Sequence, residues 1–227
     1  MAAPAVAGAT ACIQEVSSTL KSWPEGCRAI HLAAAKLNPK GDTWWDDVSG
    51  GVDAEDGAGS LNTLTAVRIA EQKKNRNNAA APRGWDVGTL RSSDVGSNGE
   101  TTFSYRISVP SSRLLSFHTV KVGLAWESDV VEWNFLGLTL PIASVLTLDL
   151  DLKIYDSAGN LVGYSGSWDN SYEVAEFSAT PGATYTIKIR RWSGTDDVWY
   201  GVAWNVGSTP LAIFSDLAGI RTSALAG

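Results

Sequence analysis

The sequence predicts an α + β chain in two parts, a helical N-terminal segment followed by an antiparallel β-sandwich of jelly-roll type. Three observations carry this. Apolar residues recur at helical spacing through the first forty or so positions and again at Leu64, Ala66, Val67 and Ile69. From Trp85 onward the texture changes to short runs of period two, separated by Gly, Ser, Asn and Asp. Between them Lys73 to Gly84 is basic, polar and aperiodic, and reads as a linker. The resulting division is 1–72 for the helical part, 73–84 for the linker, 85–207 for the sandwich and 208–227 for a weakly helical, Ala-rich C-terminal tail.

Composition bounds what this chain can do. With 227 residues and 44% hydrophobic content it can bury a substantial core, as one large domain or two small ones. A formal net charge of −6 argues against a nucleic-acid partner. No uninterrupted apolar run is long enough to span a bilayer, so no membrane role is expected, and the Ala-rich start lacks the charged flank and cleavage pattern of a signal peptide.

Taken in order, the first helix covers Ala2 to Val16, where Thr10, Gln14 and Glu15 are the only polar side chains. A helix apolar on every side belongs in the centre of a larger α/β body. Pro4 is acceptable in a first turn, where its missing N–H costs no hydrogen bond, yet no Ser, Thr, Asp or Asn precedes it as a cap. Ser17-Ser18-Thr19 breaks this helix, and Ser22-Trp23-Pro24-Glu25 reads as a capping box for the next. In that second helix Trp23, Cys27, Ile30, Ala34 and Leu37 form one buried stripe, with Lys21, Arg28 and Lys36 off it, and Asn38-Pro39-Lys40-Gly41 ends it. Cys12 and Cys27 fall one on each helix, either as a disulfide or as two buried thiols behaving as small hydrophobes. The loop 41–59 holds Trp44, Trp45 and the acids Asp42, Asp46, Asp47, Asp53, Glu55 and Asp56; their spacing does not match an EF-hand, and they read as a solvated loop.

Beyond the linker, Phe103, Tyr105, Ile107 and Val109 alternate with polar neighbours, as do Val120, Val122, Leu124 and Trp126, and Tyr185, Ile187 and Ile189. Tyr200, Val202, Trp204 and Val206 repeat the pattern with Gly201, Ala203 and Asn205 facing out. Half-buried strands in this number, with no helix between them, make an antiparallel sandwich or jelly roll. The clearest strand runs from Leu146 to Asp156; its leucines face in, which places Asp149 and Asp151 side by side on the other face.

Two segments carry a family resemblance. Met1-Ala2-Ala3-Pro4-Ala5-Val6-Ala7-Gly8 resembles the stretch that follows the nucleophile in subtilisin-like serine endopeptidases, whose motif reads Gly-Thr-Ser-Met-Ala-x-Pro. Asp56-Gly57-Ala58-Gly59-Ser60-Leu61-Asn62 with the helix after it is similar to the glycine turn and final helix that close such a catalytic domain. Downstream, Asp-Leu-Asp-Leu at 149–152, the turn Gly159-Asn160, Asp169-Asn170, Glu173 and Pro181-Gly182 before Thr184-Tyr185-Thr186-Ile187 resemble the accessory β-sandwich of many secreted subtilisin-like peptidases, and less closely the bacterial pre-peptidase C-terminal domain. The resemblance implies that 1–72 is the helical remnant of a subtilisin-like α/β catalytic domain, beginning one residue after the nucleophilic serine. It implies an extracellular setting, protein hydrolysis by the full-length enzyme, and two partners: the remainder of the catalytic domain and a protein substrate.

Serine-protease chemistry needs a nucleophile, a histidine base and a carboxylate that fixes the imidazole. His31 and His118 are the histidines present, and neither sits in a sequence like the family's histidine motif. No catalytic residue is therefore assigned, and alone the chain should not hydrolyse peptides. Asp149 and Asp151, with Asp169, Asn170 and Glu173, offer hard oxygen ligands for calcium, because adjacent carboxylates on one face repel unless a cation lies between them; the plainer alternative is two carboxylates in water on an outer sheet face. Trp192 and Trp199 fall on the outward register of neighbouring strands joined by Ser193 to Val198, as a candidate surface for stacking on sugars or seating a protein, or as a contact under the helical part or the Trp168 loop. The competing function is a free-standing calcium-, protein- or carbohydrate-binding β-sandwich module.

Overall fold

The computed structural model describes residues 2–36, 58–111, 116–127, 130–135, 138–144, 148–167 and 170–210. Most of the acidic loop at 41–59 and the tail 211–227 lie outside these residues. Among the described residues ten strands form: β1 (Arg83–Leu90), β2 (Tyr105–Ser108), β3 (Ser116–Trp126), β4 (Val130–Phe135), β5 (Leu138–Ser144), β6 (Asp149–Tyr155), β7 (Leu161–Ser165), β8 (Tyr172–Ala179), β9 (Thr184–Ser193) and β10 (Val198–Pro210). Two four-stranded antiparallel sheets result, ordered β1-β10-β3-β8 and β2-β9-β6-β7, with β4 and β5 as a separate two-stranded sheet. The residues that alternate in the sequence meet between the sheets: Val120, Val122 and Leu124, Tyr200, Val202 and Trp204 from the first; Tyr105, Ile107, Leu150, Leu152, Ile154, Ile187 and Ile189 from the second. The chain is thus a β-sandwich built as period two requires.

The helical part is not set apart from this sandwich. It forms a third layer on the outer face of the first sheet. Helix α2 (Pro24–Ala34) lies across β3 and β10, where the outward positions are Gly123, Ala125, Gly201 and Ala203. Their small size is what allows the approach: a Cβ on Gly201 would fall 2.5 Å from the Glu25 carbonyl, and one on Gly123 would fall 2.7 Å from the Ala29 carbonyl. Helices α1 (Ala2–Val16) and α3 (Thr63–Ala70) close over α2. Together they bury Ile13, Leu20, Ile30, Ala66 and Ile69 against Trp85, Ala125 and Ala203 of the sheet. The Trp85 indole N–H donates to the Ala70 carbonyl at 2.9 Å, tying α3 to β1.

The segment before β1 is fastened along the sandwich. Lys74 N–H donates to the Trp85 carbonyl and Ala81 N–H to the Arg106 carbonyl. Arg76 Nε donates to the Tyr200 hydroxyl at 3.0 Å, Tyr200 and Tyr105 share a 2.8 Å hydrogen bond, and Tyr105 donates to Asp86 at 3.0 Å. This relay runs from cation to carboxylate through two buried phenols, and burial holds both the Asp86 carboxyl and the Tyr105 phenol above their ordinary values.

One local expectation is corrected. The chain enters α2 from a 3₁₀ turn at Ser18–Ser22, so the cap residue is Trp23, which makes no side-chain capping bond, and Ser22 closes the preceding turn. Within this chain α1 lies at the surface: Ala9 and Ile13 are its buried residues, while Val6 and Val16 are each 42% exposed. Residues 2–8 show solvent an apolar surface. The reason is geometric, since α2 occupies the seat on the sheet and α1 touches that layer along one side.

Candidate functional site

The outer face of the second sheet gathers the polar groups singled out in the sequence. Along β6, Leu150, Leu152 and Ile154 point into the core, leaving Asp149, Asp151, Lys153 and Tyr155 outward. Asp149 and Asp151 are nevertheless buried, at 7% and 3% exposure, so they are not carboxylates in open water. Neighbours cover them. Asp151 accepts from Arg190 Nη1 at 3.3 Å on β9 and from the Tyr164 hydroxyl on β7, and a Cβ on Gly166 would lie 2.8 Å from its Oδ1. Asp149 Oδ1 is buried with no hydrogen-bond partner among the described residues.

Electrostatics follow from that burial. Loss of water pushes the Asp149 carboxyl up to about 6, with the Asp151 charge adding to it. Asp151 is also raised by burial, against the pull of Arg190 and Lys153. Glu173 sits opposite Leu124, in the register of Ala175 and Phe177, and so faces the core at the margin where β7 and β8 approach. It accepts from the Ser165 hydroxyl and, at 2.6 Å, from the Ser167 N–H. Burial still outweighs these bonds and raises Glu173 to about 8. Asn170 Nδ2 donates to Ser167 Oγ at 2.9 Å, while Asp169 lies outside the described residues. Among the described residues no group of three or more His, Cys, Asp or Glu side chains is placed to hold a metal ion.

The raised Glu173 makes a pH prediction. A carboxyl whose folded value exceeds its unfolded one contributes stability that is complete below about 4.5 and is lost as pH rises through about 8. In chelator, the melting temperature of Glu173→Gln should therefore fall less than that of the parent chain between pH 6 and pH 9. Parallel melting curves across that range would remove Glu173 as the source.

The two tryptophans do not share a hairpin. Trp192 is on β9 in the second sheet and Trp199 on β10 in the first, because the 194–197 link crosses between sheets. Trp199 packs on Trp23 at the start of α2, with ring centroids 5.7 Å apart, the contact with the helical layer that the sequence allowed as an alternative. Trp192 lies under the Arg190 guanidinium, 4.2 Å from ring centroid to Cζ. Tyr164 and Arg190 were missed by sequence reasoning. The signal available was the outward parity of each on its strand, opposite Lys153 and Asp151.

His31 Nε2 lies 2.9 Å from Thr10 Oγ1. That hydroxyl donates to the Val6 carbonyl, so the imidazole donates here and its buried Nδ1 has no partner. Burial lowers the His31 pKa, and among the described residues no carboxylate is hydrogen-bonded to the ring. His118 is buried on β3, near Ala179 of β8. Both cysteines are free, Cys12 exposed and Cys27 buried with its thiol donating to the Leu20 carbonyl at 3.3 Å. A groove of about 470 Å³ runs between α1, α2 and the turn at 58–61, lined by Val6, Thr10, Cys27, His31, Leu32 and Leu61.

No family model matches this chain, and no curated protein does. Among solved structures it is similar to the pre-peptidase C-terminal domain of a collagenase from Bacillus anthracis, at 16% sequence identity and a TM-score of 0.34, over 59% of this chain and all of that one.

Proposed function

We propose that this chain is the C-terminal part of a secreted subtilisin-like serine endopeptidase, in which a β-sandwich with its helical layer is carried beside the catalytic body. The observation that carries this reading is α1. It has the sequence expected just after the nucleophilic serine, and it is apolar all round while residues 2–8 lie exposed. A surface of that kind on a folded chain is a docking surface, and the partner that fits is the remainder of the catalytic domain. The groove at Val6, Leu32 and Leu61 continues it onto α2 and the turn before α3. The triad would reside in that remainder, which would act on protein substrate, and this chain alone would be inactive toward peptides. The codons immediately upstream of Met1 test the proposal. Gly-Thr-Ser in frame supports it, and an unrelated sequence with a ribosome-binding site overturns it in favour of a free-standing binding module.

Calcium is proposed as a structural ion of the sandwich, with Asp149, Asp151, Asp169, Asn170 and Glu173 as its oxygen donors. The support is Asp149, whose buried Oδ1 lacks a hydrogen bond and whose carboxyl is raised by burial and by Asp151. A hard cation between the two carboxylates would relieve both costs. Completing the shell requires Asp169, outside the described residues. A ligand of the native state stabilises by mass action, so calcium at a hundred times its Kd should add about 2.7 kcal/mol. The melting temperature should accordingly fall in chelator and recover with calcium; a transition unmoved by either would remove the ion.

A further inference from the structure

We propose that the outer face of the second sheet binds a neutral polysaccharide, with Trp192 and Tyr164 as stacking platforms and the Arg190 guanidinium as the hydrogen-bonding group between them, held in place by the buried Asp151. The four side chains form one connected row across three adjacent strands, β9, β6 and β7. Arg190 stacks on Trp192 at 4.2 Å and pairs with Asp151 at 3.3 Å, and Asp151 accepts from the Tyr164 hydroxyl. The rings at the two ends are 46% and 49% exposed, so each keeps much of its surface open to solvent while one side is held. Held aromatic rings lose little freedom on binding, which favours an extended ligand that touches both.

The chemistry of the row selects the ligand class. A pyranose presents an apolar C–H face suited to an aromatic ring and a rim of hydroxyls that donate and accept. Between Trp192 and Tyr164 lies the Arg190 guanidinium, which donates to such hydroxyls and is fixed by the buried Asp151 carboxylate beneath it. Two of the cations on the described part of this face are paired: Lys153 with Glu100 at 3.1 Å and Arg190 with Asp151 at 3.3 Å, while the Lys188 ammonium is turned onto the Thr101 and Phe103 carbonyls. Charges paired in this way give an anionic polymer little to hold. A peptide strand would be read at an open strand edge, whereas this row crosses a sheet face. The inference stands apart from the peptidase reading, since it uses no part of the helical layer.

The test is depletion of the intact chain, in calcium, by suspended cellulose, chitin and insoluble β-1,3-glucan, with gelatin beads alongside. At least one of the three polysaccharides should retain the chain, and Trp192→Ala and Tyr164→Ala should each weaken retention roughly tenfold, as loss of one stacked ring implies. Trp192→Tyr, which keeps a ring, should retain binding, and Trp199→Ala, on the other sheet, should leave it unchanged. Unaltered thermal transitions in the alanine variants would show that they fold. Retention by no polysaccharide, retention by gelatin alone, or retention that both alanine variants leave intact would overturn the proposal.

Discussion

Replacing Gly201 by valine should cost about 3 kcal/mol and lower the melting temperature by roughly 6–12 °C. The Cβ would arrive 2.5 Å from the Glu25 carbonyl carbon and oxygen and from the Gly26 nitrogen. These are backbone atoms of the first turn of α2, so no rotamer change can move them aside and the helix itself must lift. Lifting α2 reopens the cluster of Leu20, Ile30, Ala66, Ile69 and Trp85 to water. Gly159 provides the control. Its backbone is left-handed at φ 85°, but nothing lies within 4 Å of an added Cβ, so Gly159→Ala should show only the smaller cost of that backbone conformation, about 1 kcal/mol. Calorimetry of both variants separates contact from strain. A Gly201→Val chain that melts like its parent would mean that α2 does not sit on β10.

Trp85→Ala should cost about 3–5 kcal/mol, the range for removing a fully buried large aromatic side chain. Trp85 has no exposed surface, and it belongs to the cluster between helices and sheet, not to the core between the sheets. Its loss removes the apolar contact and strands the Ala70 carbonyl, whose indole donor lies at 2.9 Å. Trp85→Phe separates these contributions by keeping most of the area and losing the donor. Its melting temperature should fall between those of the parent and Trp85→Ala; equality with the alanine variant would assign the whole effect to the hydrogen bond.

Period two identified the faces of the strands, and those faces are where the structure has them: Tyr200, Val202 and Trp204 in, Gly201 and Ala203 out. What the period could not convey is what covers a face. Gly and Ala at outward positions read as small solvent-facing residues, yet here they are the seat of a helix whose contact with them is remote in sequence. Asp149 and Asp151 repeat the lesson, since parity placed both on the outer face while their burial depends on Tyr164, Arg190 and the 166–167 turn, each met through long-range pairing. Trp192 and Trp199 fail for a related reason. The link between them is short enough to read as a hairpin, but strand partners are chosen by the whole sheet, and β9 and β10 choose different ones. The Ser22 cap expected from the sequence was a local error, caused by a 3₁₀ turn that sequence spacing alone does not separate from a loop.

A layer covered on both sides has a distinctive relation to solvent. The amides of β3 and β10 are enclosed by α2 on one face and by the second sheet on the other, and each strand has a neighbour on both edges. Water reaches them when a covering layer departs, so their hydrogen exchange should report global unfolding. At β2 and β7, which end the second sheet, exchange should instead follow local opening, and the slowest-exchanging amides should trace the middle of the first sheet.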